Sequence, residues 1–174
     1  MKTFFSIAGV ILGACIISFL LIGVFMPRLD YKITFEVNKP VDQTFKSFMD
    51  VTLMGEWMTG FKKMETLSGK PGEVGSKYRL IFAEGDKDVV VDEEVIAMKE
   101  NEVFAFSMEN DFLNGTGEFR FAGKEGKTQI TYINDTAGKN IVYKTMLALF
   151  RSGIMERNTK DFDKLKSLIE SAEQ

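Results

Sequence analysis

The sequence predicts an α+β domain in which an antiparallel sheet of seven strands is covered by one long C-terminal helix. Three observations carry this. Segments with the two-residue alternation of half-buried strands recur from Tyr31 to Asn134. After the first strand they are separated by short turns, which join antiparallel neighbours and leave no room for crossover helices. The stretch from Asn140 to Ile169 then switches to helical periodicity and holds it longer than any other part of the soluble portion.

Taken in order, the chain begins with an apolar run. No charged residue occurs between Thr3 and Met26. As a helix this run is about 36 Å long, enough to cross a hydrocarbon core of about 30 Å. Lys2 and the amino terminus precede it and Pro27-Arg28 stop it. It exceeds the apolar core of a cleaved signal peptide, so residues 1–28 are expected to be a single transmembrane signal anchor. Leu12-Gly13-Ala14-Cys15 is a competing lipobox-like stretch, but the chain stays apolar from Ile16 to Met26 instead of turning polar. Gly9 and Gly13 form a small-xxx-small pair that suits a helix dimer or is incidental. Lys2 and the amine weigh against Arg28 and Lys32, and this near balance tips the following domain, residues 29–174, to the extracytoplasmic side.

Tyr31, Ile33, Phe35 and Val37 alternate with Lys32, Thr34 and Glu36 in the first strand. Pro40 fits the first turn of a helix, whose apolar face is Val41, Phe45, Phe48 and Met49, with Asp42 at the positive end of its dipole. A second short helix covers Val51 to Glu56 and ends at Trp57. Six strands follow near Phe61–Leu67, Ser76–Ala83, Asp88–Met98, Val103–Glu109, Gly115–Ala122 and Thr128–Asn134. Asn114-Gly115 is a strong hairpin signal between two of them. In the last helix, Val142, Met146, Leu149, Phe150 and Gly153 form one apolar face, and Met155, Phe162, Leu165 and Ile169 another. At about 100° per residue the two faces differ by roughly 140°. A bend is therefore expected at Ser152-Gly153, with the C-terminal half sealing a core and the N-terminal half covering something else.

Composition narrows the chemistry. The chain has no histidine and a single cysteine, Cys15. Ser-His, Cys-His and His-metal sites are thereby excluded, as are an internal disulfide and a cysteine zinc site. A net charge of −3 with no basic run argues against nucleic-acid binding. The 16 phenylalanines and 10 methionines suit a large, adaptable apolar interior. Gly69-Lys70-Pro71-Gly72-Glu73-Val74-Gly75 precedes a strand and lacks a following Lys-Ser/Thr pair, so it reads as a turn and not as a phosphate loop. Asp86, Asp88, Asp92, Glu93 and Glu94 match no calcium loop and read as a solvated strand and turn. Strand alternation nevertheless turns either Glu93 or its two neighbours toward the helix side, where a buried carboxylate has a raised pKa.

From Leu29 to the end the chain resembles the SRPBCC or START-like superfamily. This is the helix-grip fold shared with the birch-pollen allergen and the polyketide cyclase/dehydrase group. The residues that carry the resemblance are Phe35-Glu36-Val37-Asn38-Lys39-Pro40-Val41 with Phe45, Trp57 ahead of Phe61, Leu67 through Ser76, and Asp161-Phe162-Asp163-Lys164-Leu165-Lys166. The resemblance implies a curved sheet around the long helix with an apolar cavity between them. It carries over no catalytic residue, no metal and no cofactor.

On this reading Tyr78, Phe82, Phe104, Phe106, Phe119 and Tyr132 line the cavity walls, and Tyr143, Met146 and Phe150 border the entrance. Trp57 gates the cavity or plugs the corner between the second short helix and the sheet. The expected function is a membrane-anchored binding or transfer module for a hydrophobic small molecule or lipid. Two alternatives stand beside it: a protein-interaction module with a filled core, and a cyclase- or hydrolase-type enzyme using cavity tyrosines and carboxylates. The expected partners are the hydrophobic ligand and the membrane but not nucleic acid, and protein partners are left open.

Overall fold

The computed structural model describes residues 2–172. A first helix, α1 (Lys2–Phe25), leads into strand β1 (Arg28–Val37). Two short helices follow, α2 (Val41–Phe48) and α3 (Met54–Trp57), joined by a single tight turn at Val51–Leu53. Six strands come next: β2 (Phe61–Ser68), β3 (Lys77–Glu84), β4 (Lys87–Lys99), β5 (Val103–Glu109), β6 (Leu113–Lys124) and β7 (Lys127–Gly138). The chain closes with α4 (Ile141–Leu149) and α5 (Arg151–Ser171). All seven strands form one antiparallel sheet in the order β1-β7-β6-β5-β4-β3-β2. The meander from β2 to β7 is closed by β1 returning beside β7. This is the α+β helix-grip architecture expected from the sequence.

The core lies where α5 and α2 meet the inner face of β1, β7 and β6. Val37, Ile130, Leu165 and Ile169 are fully buried there. Phe48 touches Phe119 and Phe121 with ring centroids 4.7 and 5.1 Å apart, and Phe162 on α5 stacks on Phe35 at 5.5 Å. Such rings remove large apolar areas from water and add tilted or edge-to-face contacts. A second, smaller cluster of Tyr78, Leu80 and Val95 forms at the other end of the sheet.

Three expectations require correction. The first concerns the N-terminus. Among the described residues no helix is long and apolar enough to cross a membrane. The transmembrane anchor, the membrane partner and the extracytoplasmic placement are therefore not supported. The helical run does form, and its C-terminal part docks on α4 through Gly23, which is buried, while Leu21, Val24 and Phe25 stay exposed. The Thr145 hydroxyl of α4 donates to the Phe19 carbonyl at 3.1 Å. A Cβ at Gly23 would lie 2.4 Å from Thr145 Oγ1, so only glycine allows this approach.

The second correction is the bend of the last helix, which falls at Phe150 and not at Ser152-Gly153. Phe150 has φ −95° and ψ 8°, while Gly153 lies inside α5. The change of direction is held by tertiary contact: Arg151 donates to the Asp30 carbonyl and pairs with its carboxylate at 3.6 Å. Third, Asn114-Gly115 lies within β6 and not in a turn. The turn is made three residues earlier, where Asn110 Oδ1 accepts from the amides of Phe112 and Leu113, each at 2.9 Å. This side-chain mimicry of a backbone turn outcompetes the Asn-Gly signal.

Candidate functional site

Between the sheet and the layer formed by α2, α3 and α5 lies a cavity of about 1360 Å³ that is open to solvent. Its position follows from register. The inner face of each strand is set by two-residue alternation, and along one row Tyr78 pairs with Glu93, Glu93 with Met108 and Met108 with Gly115. A neighbouring row pairs Val95 with Phe106 and Phe106 with Gly117. The glycine provides the space: a Cβ at Gly117 would lie 2.4 Å from Phe106 Cζ.

The structure brings seven of the expected residues to this cavity: Trp57, Tyr78, Phe82, Phe104, Phe106, Phe119 and Tyr132. Trp57 is also buried at the corner, its ring 6.3 Å from that of Phe162. The Tyr78 hydroxyl accepts from the Gly72 amide at 3.2 Å, so the glycine-rich connection folds over the β3 end of the cavity as a turn.

The other three expected residues are elsewhere. Tyr143 packs against Phe112 with centroids 5.2 Å apart, and Met146 and Phe150 are exposed. The bend at Phe150 and the docking of α4 on α1 leave these three residues outside the cavity lining. The cavity side is supplied instead by α5, through Ile154, Arg157, Asn158, Asp161 and Phe162.

Sequence reasoning placed only Met146 at the cavity and did not assign the methionines that line it. Met49, Met54, Met58, Met64, Met98 and Met108 all line the cavity. Their unbranched, polarizable side chains adapt to irregular apolar surfaces. The signal was their abundance, which gives no location by itself.

The polar groups of the cavity are mostly engaged. Arg157 donates to Glu84 at 3.0 Å and to the Thr59 carbonyl at 2.8 Å. Asp161 accepts from the Thr59 amide at 3.1 Å and hydroxyl at 2.5 Å, and pairs with Lys164 at 3.3 Å. Tyr132 Oη is hydrogen-bonded to Asn134 at 3.2 Å, and Asn134 donates to the Leu29 carbonyl at 2.7 Å. Asn158 donates to the Tyr31 hydroxyl. Burial pushes the Tyr31 phenol up to about 12 and that of Tyr132 further, so both are neutral hydrogen-bonding groups near neutral pH.

Glu93 is the exception. Its acidic neighbours face outward and are paired: Asp92 with Arg79 at 2.7 Å, Glu94 with Lys77 at 3.2 Å and Asp88 with Lys62 at 2.6 Å. Glu93 points inward and lines the cavity. Burial alone, with no hydrogen bond or counter-charge to oppose it, pushes its carboxyl up to about 7. Among the described residues no cluster of three or more His, Cys, Asp or Glu side chains is placed to hold a metal ion. Chemically, the site offers a large apolar volume, neutral phenols and one carboxyl group that changes charge near neutrality.

Comparison with known proteins agrees with this architecture. A model of the family described as "Polyketide cyclase / dehydrase and lipid transport" matches residues 28–170. No curated protein sequence matches the chain. Among solved structures, the protein CV1439 from Chromobacterium violaceum superposes with a TM-score of 0.67 at 12% identity, covering 82% of this chain and 98% of its own. The Zhui aromatase/cyclase from Streptomyces sp. R1128 gives 0.66 at 14% identity, over 82% of this chain and 94% of its own. A conserved protein from Geobacillus kaustophilus gives 0.67 at 17% identity, over 80% and 94%. At these identities the structural likeness speaks for the fold.

Proposed function

The chain belongs to the polyketide cyclase/dehydrase and lipid transport family, and on that premise we propose that it binds a hydrophobic small molecule or lipid between its sheet and α5. The observation that carries this reading is the cavity itself. Close packing leaves few interior voids larger than a water molecule, and ligand sites typically occupy about 300–1,000 Å³. A volume of about 1360 Å³ lined by aromatic and methionine side chains is large even on that scale. It also weighs against the filled core that a pure interaction module requires.

The aromatase/cyclase likeness makes an enzyme the second reading, and Glu93 is the observation in its favour. General acid–base chemistry is aided by a group poised near neutral pH. The size and mainly apolar lining of the cavity make binding the better supported reading.

The test is native mass spectrometry of the purified full chain, followed by solvent extraction. Titration with Nile red, a neutral apolar dye, accompanies it. A reproducible extractable adduct, or saturable dye binding that competes with decanol, is the expected result. A chain that carries nothing and takes up neither probe refutes the reading.

A further inference from the structure

On its inner sheet face the cavity carries a carboxyl group, Glu93, that no side chain among the described residues pairs with. Resting on the ligand-binding reading above, we propose that Glu93 anchors the polar end of the ligand and selects amphiphiles carrying a basic amine over those carrying a carboxylate.

Glu93 stands on the inner face of β4 between Tyr78 of β3 and Met108 of β5. Among the described residues no side chain pairs with it, whereas the other carboxylate facing the cavity, Asp161, is held by Thr59 and Lys164. A carboxylate accepts hydrogen bonds through both oxygens and an ammonium group donates three. Charge-assisted pairs of this kind are roughly twice as strong as neutral ones. A ligand ammonium would therefore supply the counter-charge that the protein does not.

The other charges around the cavity do not supply it either. On α5, Arg157 is committed to Glu84 and Thr59. On β1 and β7, Tyr31 and Tyr132 are neutral phenols, and Tyr132 lies close enough to Glu93 for the carboxylate to raise its pKa further. Lys46 is exposed on α2, with Asp42, and Glu100 is exposed after β4. A carboxylate head would meet Glu93 as a like charge, and one of the two would have to take up a proton.

The selection depends on pH. A carboxyl raised to about 7 is mostly protonated at pH 6 and must release its proton to pair with an ammonium. An alkyl ammonium, like lysine with its pKa of about 10.4, stays charged throughout. Amine affinity should then fall about tenfold from pH 8.5 to pH 6, while that of a neutral alcohol is unchanged.

The experiment displaces Nile red from the full-length chain with decylamine, decanol and decanoate at pH 6 and 8.5, for the wild type and Glu93→Gln. At pH 8.5 decylamine should bind about tenfold more tightly than decanol, the difference between a charged and a neutral hydrogen bond, and decanoate should bind least. Glu93→Gln should bring amine and alcohol together and abolish the pH effect. An amine preference that survives in Glu93→Gln, or wild-type binding in which decylamine is no better than decanol, overturns the proposal. Failure of Nile red and decanol themselves to bind overturns the ligand-binding reading beneath it, which is a different result.

Discussion

Replacing Gly117 by alanine tests the geometry of the cavity wall directly. The new Cβ would stand 2.4 Å from Phe106 Cζ and 2.9 Å from each of Cε1 and Cε2. Carbon atoms in comfortable contact are about 3.5–4.0 Å apart, so the ring must move by more than an ångström. Separating β5 from β6 would break the ladder that pairs Phe106 with Gly117. Turning the ring into the open cavity is the cheaper route. Overpacking costs about 1–3 kcal/mol, and replacing a strand glycine returns about 0.5–1 kcal/mol of conformational entropy. A net loss of about 1–2 kcal/mol is expected, measured by urea denaturation. Nile red affinity should fall in the same variant, because the displaced ring occupies ligand space. Combining Gly117→Ala with Phe106→Ala should remove the steric part, so the double variant is more stable than the sum of the single effects. A Gly117→Ala protein with unchanged stability and unchanged dye binding would show that the ring does not stand over Gly117, and the description of this wall would be wrong.

Other consequences can be measured with the same assays. Glu93 has a folded pKa of about 7 against an ordinary 4.5, so its contribution is intact below pH 4.5 and is lost as pH rises through 7. At about 1.4 kcal/mol per pKa unit, stability should decline by up to about 3 kcal/mol between pH 4.5 and 8 on this account. Glu93→Gln should flatten that decline in urea titrations; an identical slope in both proteins would contradict it. Leu165 on α5 is fully buried, and Leu165→Ala should cost about 3 kcal/mol, readable as a lower urea midpoint. Asp161→Ala strands the Thr59 amide and hydroxyl and should cost about 2–3 kcal/mol. Asp161→Asn keeps an acceptor for one of them and should lose less. Equal losses in the two variants would argue against hydrogen bonding as the cause.

The parts of the fold legible in the sequence were those in which one local pattern determines one outcome. Tyr31 to Val37 alternates cleanly and is a strand with one buried face. Phe162, Leu165 and Ile169 repeat at helical spacing and are buried as a stripe. Turn chemistry was read less well because two signals competed. Asn114-Gly115 has the composition of a hairpin turn, but Asn110 can cap its own turn with a side-chain oxygen, and the register of β6 against β7 then places Asn114 opposite Ala137. Only the pairing decides between the two.

The candidate site was legible where strand alternation governs and illegible where tertiary packing does. Phe104, Phe106, Phe119 and Tyr132 had to share the inner face once the strands were fixed, but alternation alone left open whether Glu93 or its two neighbours turned inward, and the register decides for Glu93. The weight of five acidic residues in nine positions pointed the other way, toward a solvated turn, because composition cannot distinguish one inward carboxylate from the paired outward ones around it. Tyr143, Met146 and Phe150 carry the right spacing for a cavity-facing helix, but spacing defines a face without saying what the face meets. That depended on Gly23 and Thr145, which let α4 approach α1, and on Arg151, which fixes the bend against Asp30. A glycine in one helix and a threonine more than a hundred residues later have no common sequence pattern. The contact between them nevertheless separates the α4 face from the cavity and leaves α5 as the helix that completes it.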